Sequence, residues 1–274
     1  MSSMPAIADL LIETDFDIQN LFLFTPSGSQ FQRFVDSDLS ESLIVVAPTN
    51  TVDSDSFVEM PIEFTAVRDQ IRFGVEGGMQ LDFVEQGDTV ACALSIFDRP
   101  LDSLVHVVVN ETMRSGLYNL FTDSRAEANV VRDVFEVAVD LGKKGQKGKP
   151  VGALFVVGDA GNVMNKSKAL SYNPFEKSYV HVGDPIVTVM LKEFSRLDGA
   201  FVISDAGKIV SAYRYLEPAA EGIDIPKGLG ARHMAGAAIS SETNAISVVL
   251  SESDGLVRIF KDGELILQVD PEEY

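Results

Sequence analysis

A chain of 274 residues, 46% hydrophobic and 23% charged, has the composition of a folded globular protein with room for one large domain or two ordinary ones. Its 41 acidic and 22 basic side chains leave a formal net charge of −19, which repels duplex nucleic acid unless a basic patch is strongly segregated. A lone cysteine, Cys92, excludes an internal disulfide or a cysteine-rich metal site; no run approaches the ~20 apolar residues of a membrane span, and MSSMPAIADLLIETDF lacks the basic start of a secretory signal. The expectation is a cytoplasmic protein with neither a membrane nor a nucleic-acid partner.

In chain order, IADLLIETDFDIQNLFLF (7–24) predicts a helix, and SLIVVAP (42–48), TVACALSIF (89–97) and SLVHVVVN (103–110) predict short strands. His106, inside the last of these apolar runs, is expected to be a packed core histidine. Mixed helices and strands make this half an α/β domain. Residues 124–141 place apolar side chains at 131, 134, 135, 138 and 141, one face of a helix, with Ser124 and Glu127 as a capping box and Gly142 as the helix end. GKKGQKGKP (142–150) comes next, holding four of the eleven lysines. No G-x-x-x-x-G-K-[ST] threads through it, so it reads as a solvated connection whose lysines meet the helix dipole. The domain boundary is placed just before this helix, giving domains 1–120 and 121–274.

The second half has a different texture. VGALFVVG (151–158), GAFVIS (199–204), KIVSAY (208–213), AISVVL (245–250), LVRIF (256–260) and ELILQV (264–269) predict strands. The turn signals DAG (205–207), SDG (253–255) and DG (262–263) join neighbours as hairpins. Helical stretches at 187–196 and from about Ala231 complete a mixed sheet flanked by helices.

Two loci carry chemistry. Asp198–Gly199 stands at a strand entrance, where Asp–Gly commonly makes a turn. GLGARHMAGAAISSET (228–243) sets Arg232 and His233 at the start of a helix of small residues in a strongly acidic chain. Gly228 and Gly230 permit a tight turn, and free N–H groups at the helix start plus Arg232 suit an anion such as a phosphate. A small-residue helix packed closely on a sheet also explains the glycines and alanines, though not the Arg–His pair.

LDGA (197–200), GLGARHMAGAAIS (228–240) and VVLSES (248–253) together resemble the diadenylate cyclase (DAC) family, whose signatures are Asp-Gly-Ala and Arg-His-Arg followed by Ser-Glu after a strand. VGALFVVGD (151–159) and YRYLEP (213–218) resemble further family segments, so the likeness runs over roughly 120–270. The two-part chain is most similar to the archaeal type, which implies a pyruvate-kinase-C-terminal-like front domain, regulatory or oligomerising. The resemblance implies condensation of two ATP into cyclic di-AMP and two pyrophosphates, with Mn²⁺ or Mg²⁺. It implies Asp198, Arg232 and His233 as catalytic residues, and Asp198 with Glu252 as metal carboxylates. For ATP it implies Gly199, Ala200, Tyr215, Leu216, Gly230, Ala231, Arg232, His233, Met234 and Ser240, with Tyr215 and Leu216 on the adenine. Met234 stands where most of the family has Arg, Ala231 where it has Thr, and Leu197 where some members have His. The product's two-fold symmetry implies a homo-oligomer with face-to-face catalytic dimers. The messenger's usual biology implies an osmotic role. The alternatives are a non-catalytic sensor of ATP or cyclic di-AMP, and an interaction protein using the Arg–His pair at an interface.

Overall fold

NLFLF and LIVVA are apolar at nearly every position, the pattern of strands covered on both faces. In the computed structural model, which describes residues 18–37, 39–62, 64, 66–97, 101–114, 116–144, 151–194, 198–217 and 228–274, both are interior strands. The chain divides into two units, Met1–Tyr118 and Asn119–Tyr274.

The first unit contains β1 (Asn20–Phe24), α1 (Gly28–Val35), β2 (Leu43–Ala47), β3 (Phe57–Glu59), α2 (Val67–Gln80), β4 (Thr89–Leu94) and β5 (Ser103–Val108). Its sheet has the order β3-β2-β1-β4-β5, parallel except for β5, which runs antiparallel to β4. Two expectations are corrected. The stretch expected as a helix over 7–24 supplies β1 at its C-terminal end, while 7–17 lies outside the described residues. A short apolar run has no period that separates buried strand from buried helix. His106 is exposed rather than packed, because β5 is the sheet edge and its alternate side chains face solvent.

Helix α2 lies hard against this sheet. A Cβ at Gly74 would fall 2.6 Å from the Phe24 ring, and one at Gly78 2.7 Å from Phe22. From the same helix the buried Glu76 carboxylate accepts hydrogen bonds from Gly116 N (2.7 Å) and Leu117 N (3.1 Å), capping α3 (Leu117–Thr122) across forty residues of sequence.

The second unit contains α4 (Ala128–Lys144), β6 (Ala153–Val157), α5 (Ala160–Asn165), β7 (Ser167–Ala169), α6 (Val187–Phe194), β8 (Ala200–Ile203), β9 (Ile209–Leu216), α7 (Ala231–Glu242), β10 (Ile246–Leu250), β11 (Val257–Lys261) and β12 (Glu264–Val269). The sheet order is β12-β11-β10-β6-β8-β9-β7; β6 and β8 are parallel and the other pairs antiparallel. DAG, SDG and DG each join antiparallel neighbours. Successive strand side chains alternate between faces. Gly236 of α7 packs on Val249 and Leu154, whereas Gly142 of α4 packs beside Leu250, so the two helices cover opposite faces of β10.

Helix α4 buries Val131, Val134, Phe135, Ala138 and Leu141 along one stripe. Its ends differ from the expected ones. Ser124 Oγ accepts from Ala126 N in a local turn, and the first helical bonds run to Glu127 O, so Ser124 is not the cap. Gly142 lies inside the helix, where a Cβ would fall 2.6 Å from Pro271; close packing, not termination, calls for glycine there. Residues 145–150 of the lysine segment lie outside the described residues. No described helix is long and apolar enough to cross a membrane.

Candidate functional site

Topology assembles one end of the second sheet. Ala200 opens β8 opposite Arg214 near the close of β9, and Leu250 closes β10 opposite Ala153 at the opening of β6. Asp198, the Tyr215–Leu216 pair and the Ser251–Glu252 turn therefore leave the sheet at the same end, where α7 begins at Ala231. They enclose a cavity of about 470 Å³, the size of an ordinary small-molecule site.

Local geometry explains each placement. Gly199 has φ +109°, and a Cβ there would lie 2.8 Å from both Arg214 N and Tyr213 C, so only glycine admits the close approach of β9. Opposite it, the β8–β9 register slips between Ala200 and Val202, and Tyr213 takes φ +57°. A bulge of this kind bends its strand and re-aims the side chains beyond it. On β9 those side chains are Tyr215, exposed at the rim, and Leu216, buried in the wall. Helix α7 starts from Gly230, at φ −80° and ψ 179°, with no side chain capping it. Its first N–H groups have no intrahelical acceptor and carry the positive end of the dipole.

Arg232 stands between two carboxylates. Its Nη1 donates to Glu252 Oε2 at 3.1 Å, and its Nη2 lies 3.6 Å from Asp198 Oδ1. Asp198 is almost fully exposed at the mouth (93%), while Arg232 is about one-third exposed. A Cβ at Gly152 would lie 2.5 Å from Arg232 Nη1, so the bare backbone before β6 makes the slot for the guanidinium.

His233 points into the wall, 4% exposed. Burial, with Arg258 and Arg232 nearby, holds its pKa below the ordinary 6.5, against a smaller opposing pull from Asp254. Arg258 Nη1 reaches His233 Nε2 at 3.3 Å, and Nδ1 has no hydrogen-bond partner among the described residues. The Asp254 carboxyl is held well below the usual carboxylate range, chiefly by its hydrogen bonds from Arg258.

Of the residues singled out in the sequence, Asp198, Gly199, Ala200, Tyr215, Leu216, Gly230, Ala231, Arg232, His233 and Glu252 line this one cavity. Two do not. Ser240 lies eight residues beyond Arg232, about 12 Å along the helix axis. Its fully buried hydroxyl donates to Ala237 O and accepts from Gly263 N, so it ties α7 to the β11–β12 turn. Met234 is half-buried and outside the lining. Leu197 and Pro218 lie outside the described residues. The sequence reading missed Arg214, which lines the cavity while its guanidinium holds Ser167 Oγ (3.0 Å) and Met164 O (3.0 Å), and it missed the Asp254–Arg258 pair. Arg214 lies inside YRYLEP, where only Tyr215 and Leu216 were given roles, and Asp254 and Arg258 sit in a turn and a strand that read as scaffold.

A mixed α/β sheet whose end gathers a helix N-terminus, an arginine and two carboxylates around one cavity of small-molecule size has the groups of an anion-binding site. Comparison with known proteins places it more closely. Residues 4–129 match the family described as "Diadenylate cyclase, N-terminal", and residues 141–265 match "DisA bacterial checkpoint controller nucleotide-binding". The chain is 66% identical over 271 residues to a diadenylate cyclase of Haloferax volcanii, spanning 99% of this chain and 100% of that one. It is 39% identical over 205 residues to a diadenylate cyclase of Methanocaldococcus jannaschii (73% of this chain, 66% of that one). A diadenylate cyclase of Listeria monocytogenes is 33% identical over 104 residues, 35% of this chain and 37% of that one. The chain belongs to the diadenylate cyclase family.

Proposed function

We propose that the cavity of the second unit binds ATP and that the chain condenses two ATP into cyclic di-AMP. The ribose 3′-oxygen of one ATP attacks the α-phosphorus of the other; the bond to the β-phosphate breaks and pyrophosphate leaves. The reciprocal attack closes the ring, so two protons and two pyrophosphates are released. The supporting observation is that Asp198 and Glu252 flank Arg232 at the open N-terminus of α7.

Each group has a task that its position suits. The first N–H groups of α7 and the Arg232 guanidinium bind the triphosphate and stabilise charge on the departing pyrophosphate. His233, in the cavity wall at the same helix turn, is assigned to the same task by the family resemblance. Gly199, Ala200 and Gly230 let the nucleotide lie against backbone, and Tyr215 with Leu216 offers an apolar surface to the adenine. Asp198, exposed at the mouth, orients the 3′-hydroxyl and accepts its proton.

The carboxylates are hard oxygen donors, and among the described residues no cluster of three or more metal-ligating side chains forms a closed cage. That donor set fits Mg²⁺ or Mn²⁺ held by Asp198 and Glu252 with the rest of the shell left to substrate and water. When bound, such an ion supplies charge stabilisation to the phosphates.

One ATP in one site cannot close a symmetric ring, so two protomers present their cavities face to face. In this reading residues 121–274 are the catalytic domain, and 1–120 builds or regulates the homo-oligomer. The protein works in the cytoplasm, without membrane or nucleic-acid partners, and its product serves osmotic control.

The test is incubation with ATP and Mn²⁺ or Mg²⁺, reading products by mass, for the wild type and Asp198→Asn. A product of cyclic dinucleotide mass, reduced at least about a hundredfold in the variant, supports the assignment. ATP binding without product by the wild type would instead make the cavity a sensor.

A further inference from the structure

The outer strands of the two sheets differ in how well they are guarded. β3 and β7 are three residues long and expose Glu59 and Lys168, and β12 opens on the exposed Glu264. Short length and charge are how a protein keeps a sheet edge from pairing with another chain. β5 has neither. SLVHVV runs for six residues without a carboxylate, lysine, arginine or proline, in a chain that is 23% charged, and its Val108 is 50% exposed.

The β4–β5 ladder settles which backbone groups face the open side. Val109 N donates to Asp88 O (2.9 Å) and Val109 O accepts from Gly87 N (2.8 Å), so this residue bonds toward the β4 side. Bonding direction alternates along an antiparallel strand. Ser103, Val105 and Val107 therefore bond inward, and Leu104, His106 and Val108 turn their N–H and C=O groups outward. In keeping with this, Val108 O accepts from the Asn110 side chain at 3.1 Å. Among the described residues no strand pairs with this outer side.

We infer that this edge is an interface between two copies of the chain: β5 pairs antiparallel with β5 of a second copy about a two-fold axis at His106, joining two five-stranded sheets into one. Such a dimer supplies the oligomer-building role proposed for residues 1–120; it rests on that role and not on what the cavity binds.

The strand is complementary to itself in this register, and each outward N–H meets an outward C=O. Leu104 of one copy meets Val108 of the other on the sheet face where Leu104 packs with Leu21 and Phe34. Val105 meets Val107 on the opposite face, toward α2. Only His106 meets itself. Apolar cross-strand pairs of this kind stabilise a sheet, and a slip to either side would set His106 against Leu104 or Val108. Beside the strand, Val67 and Ile71 of α2 with Val105, Val107 and Met113 line an open apolar cavity of about 540 Å³. The two-fold brings the two cavities together along the joined strands. Arg68 and Arg72 complete the lining, which holds no carboxylate. On a chain of net charge −19, such a patch draws in a second acidic copy where the rest of the surface repels it.

The test is made on the full-length protein without nucleotide. By sedimentation, the wild type should be a dimer or larger. His106→Cys sets two thiols directly across the axis, with Cα atoms about 5.5 Å apart, inside the range of about 4.4–6.8 Å that a disulfide spans. Mild oxidation should convert it to a covalent dimer at least about tenfold faster than Val108→Cys, whose two copies are offset by four residues, about 13 Å along the strands. Cys92 is buried and does not compete. His106→Pro should halve the sedimenting mass with the far-ultraviolet circular dichroism unchanged, because the lost N–H points outward and serves no bond to β4. A monomeric wild type would overturn the inference. So would His106→Cys cross-linking no faster than Val108→Cys, or a folded His106→Pro of unchanged mass. Should His106→Pro fail to fold, the two cysteine variants decide alone. Failure of the cyclase assignment reads differently, as no cyclic product from a wild type that is nonetheless dimeric through β5.

Discussion

Alanine at Gly199, at Gly228 and at Gly230 separates what the fold needs from what the ligand needs. At Gly199 two penalties combine. The φ of +109° is one that side-chain-bearing residues rarely adopt, worth about 1–3 kcal/mol. The new Cβ would also meet Arg214 N and Tyr213 C at 2.8 Å, backbone atoms of β9 that cannot rotate away. Such overpacking adds about 1–3 kcal/mol. Together they come to about 2–6 kcal/mol, a fall in Tm of about 10 °C at mid-range for a unit of this size. Gly228 shares the strain, at φ +97°, but a Cβ there meets nothing within 4 Å. It should lose only the first penalty. Gly230 has ordinary φ −80° and open space around a Cβ, so alanine should cost within about 1 kcal/mol. Yet Gly230 lines the cavity at the helix start, and a methyl there takes space that the triphosphate uses. Its Tm should hold while KM for ATP rises about tenfold. Scanning calorimetry and initial rates on the three variants check the order. If Gly230→Ala melts as early as Gly199→Ala, or leaves KM unchanged, the phosphates do not lie on the N-terminus of α7.

Gly152→Ala should displace the Arg232 guanidinium and cut kcat/KM about tenfold while shifting Tm little, because the colliding group is the movable end of a side chain; initial rates and melts on one preparation show both. Glu76→Ala strands the buried N–H groups of Gly116 and Leu117 and should cost about 2–3 kcal/mol, with Glu76→Gln losing less, measured by urea denaturation. Acid should weaken the fold through His233. Its folded pKa is depressed by burial, so below the ordinary 6.5 the unfolded chain takes up the proton more readily and stability falls with pH until the folded pKa is passed. His233→Gln should flatten that part of the stability–pH curve.

The site was legible where chemistry and spacing coincide. Gly230–Arg232–His233 sets an Arg–His pair at a helix start that close packing does not explain, whereas Asp198–Gly199 alone reads as an ordinary turn and gained its role only through the family resemblance. Helix α2 was missed for the opposite reason. GVEGG contradicts helix propensity at about 1 kcal/mol per glycine, and only proximity to Phe22 and Phe24 makes the absence of side chains useful. Arg258 and Asp254 looked like an ordinary charged hairpin, since nothing in SDGLVRIF distinguishes a buried, bidentate pair from a solvated one. His106 shows the same limit in reverse. An apolar run implies burial only if its strand is interior, and strand order is not written in local sequence. Ser240 shared the motif's helix with Arg232, but two further turns carried it from the cavity to the β11–β12 hairpin.

The most direct measurement is a crystal structure of the chain with 3′-deoxy-ATP, which fills the site but lacks the attacking hydroxyl. The triphosphate should lie over Ala231 and Arg232, with the 3′ edge of the ribose toward Asp198. A nucleotide bound elsewhere, or one that touches Arg232 with Asp198 turned away from both ribose and phosphates, would contradict the proposed site.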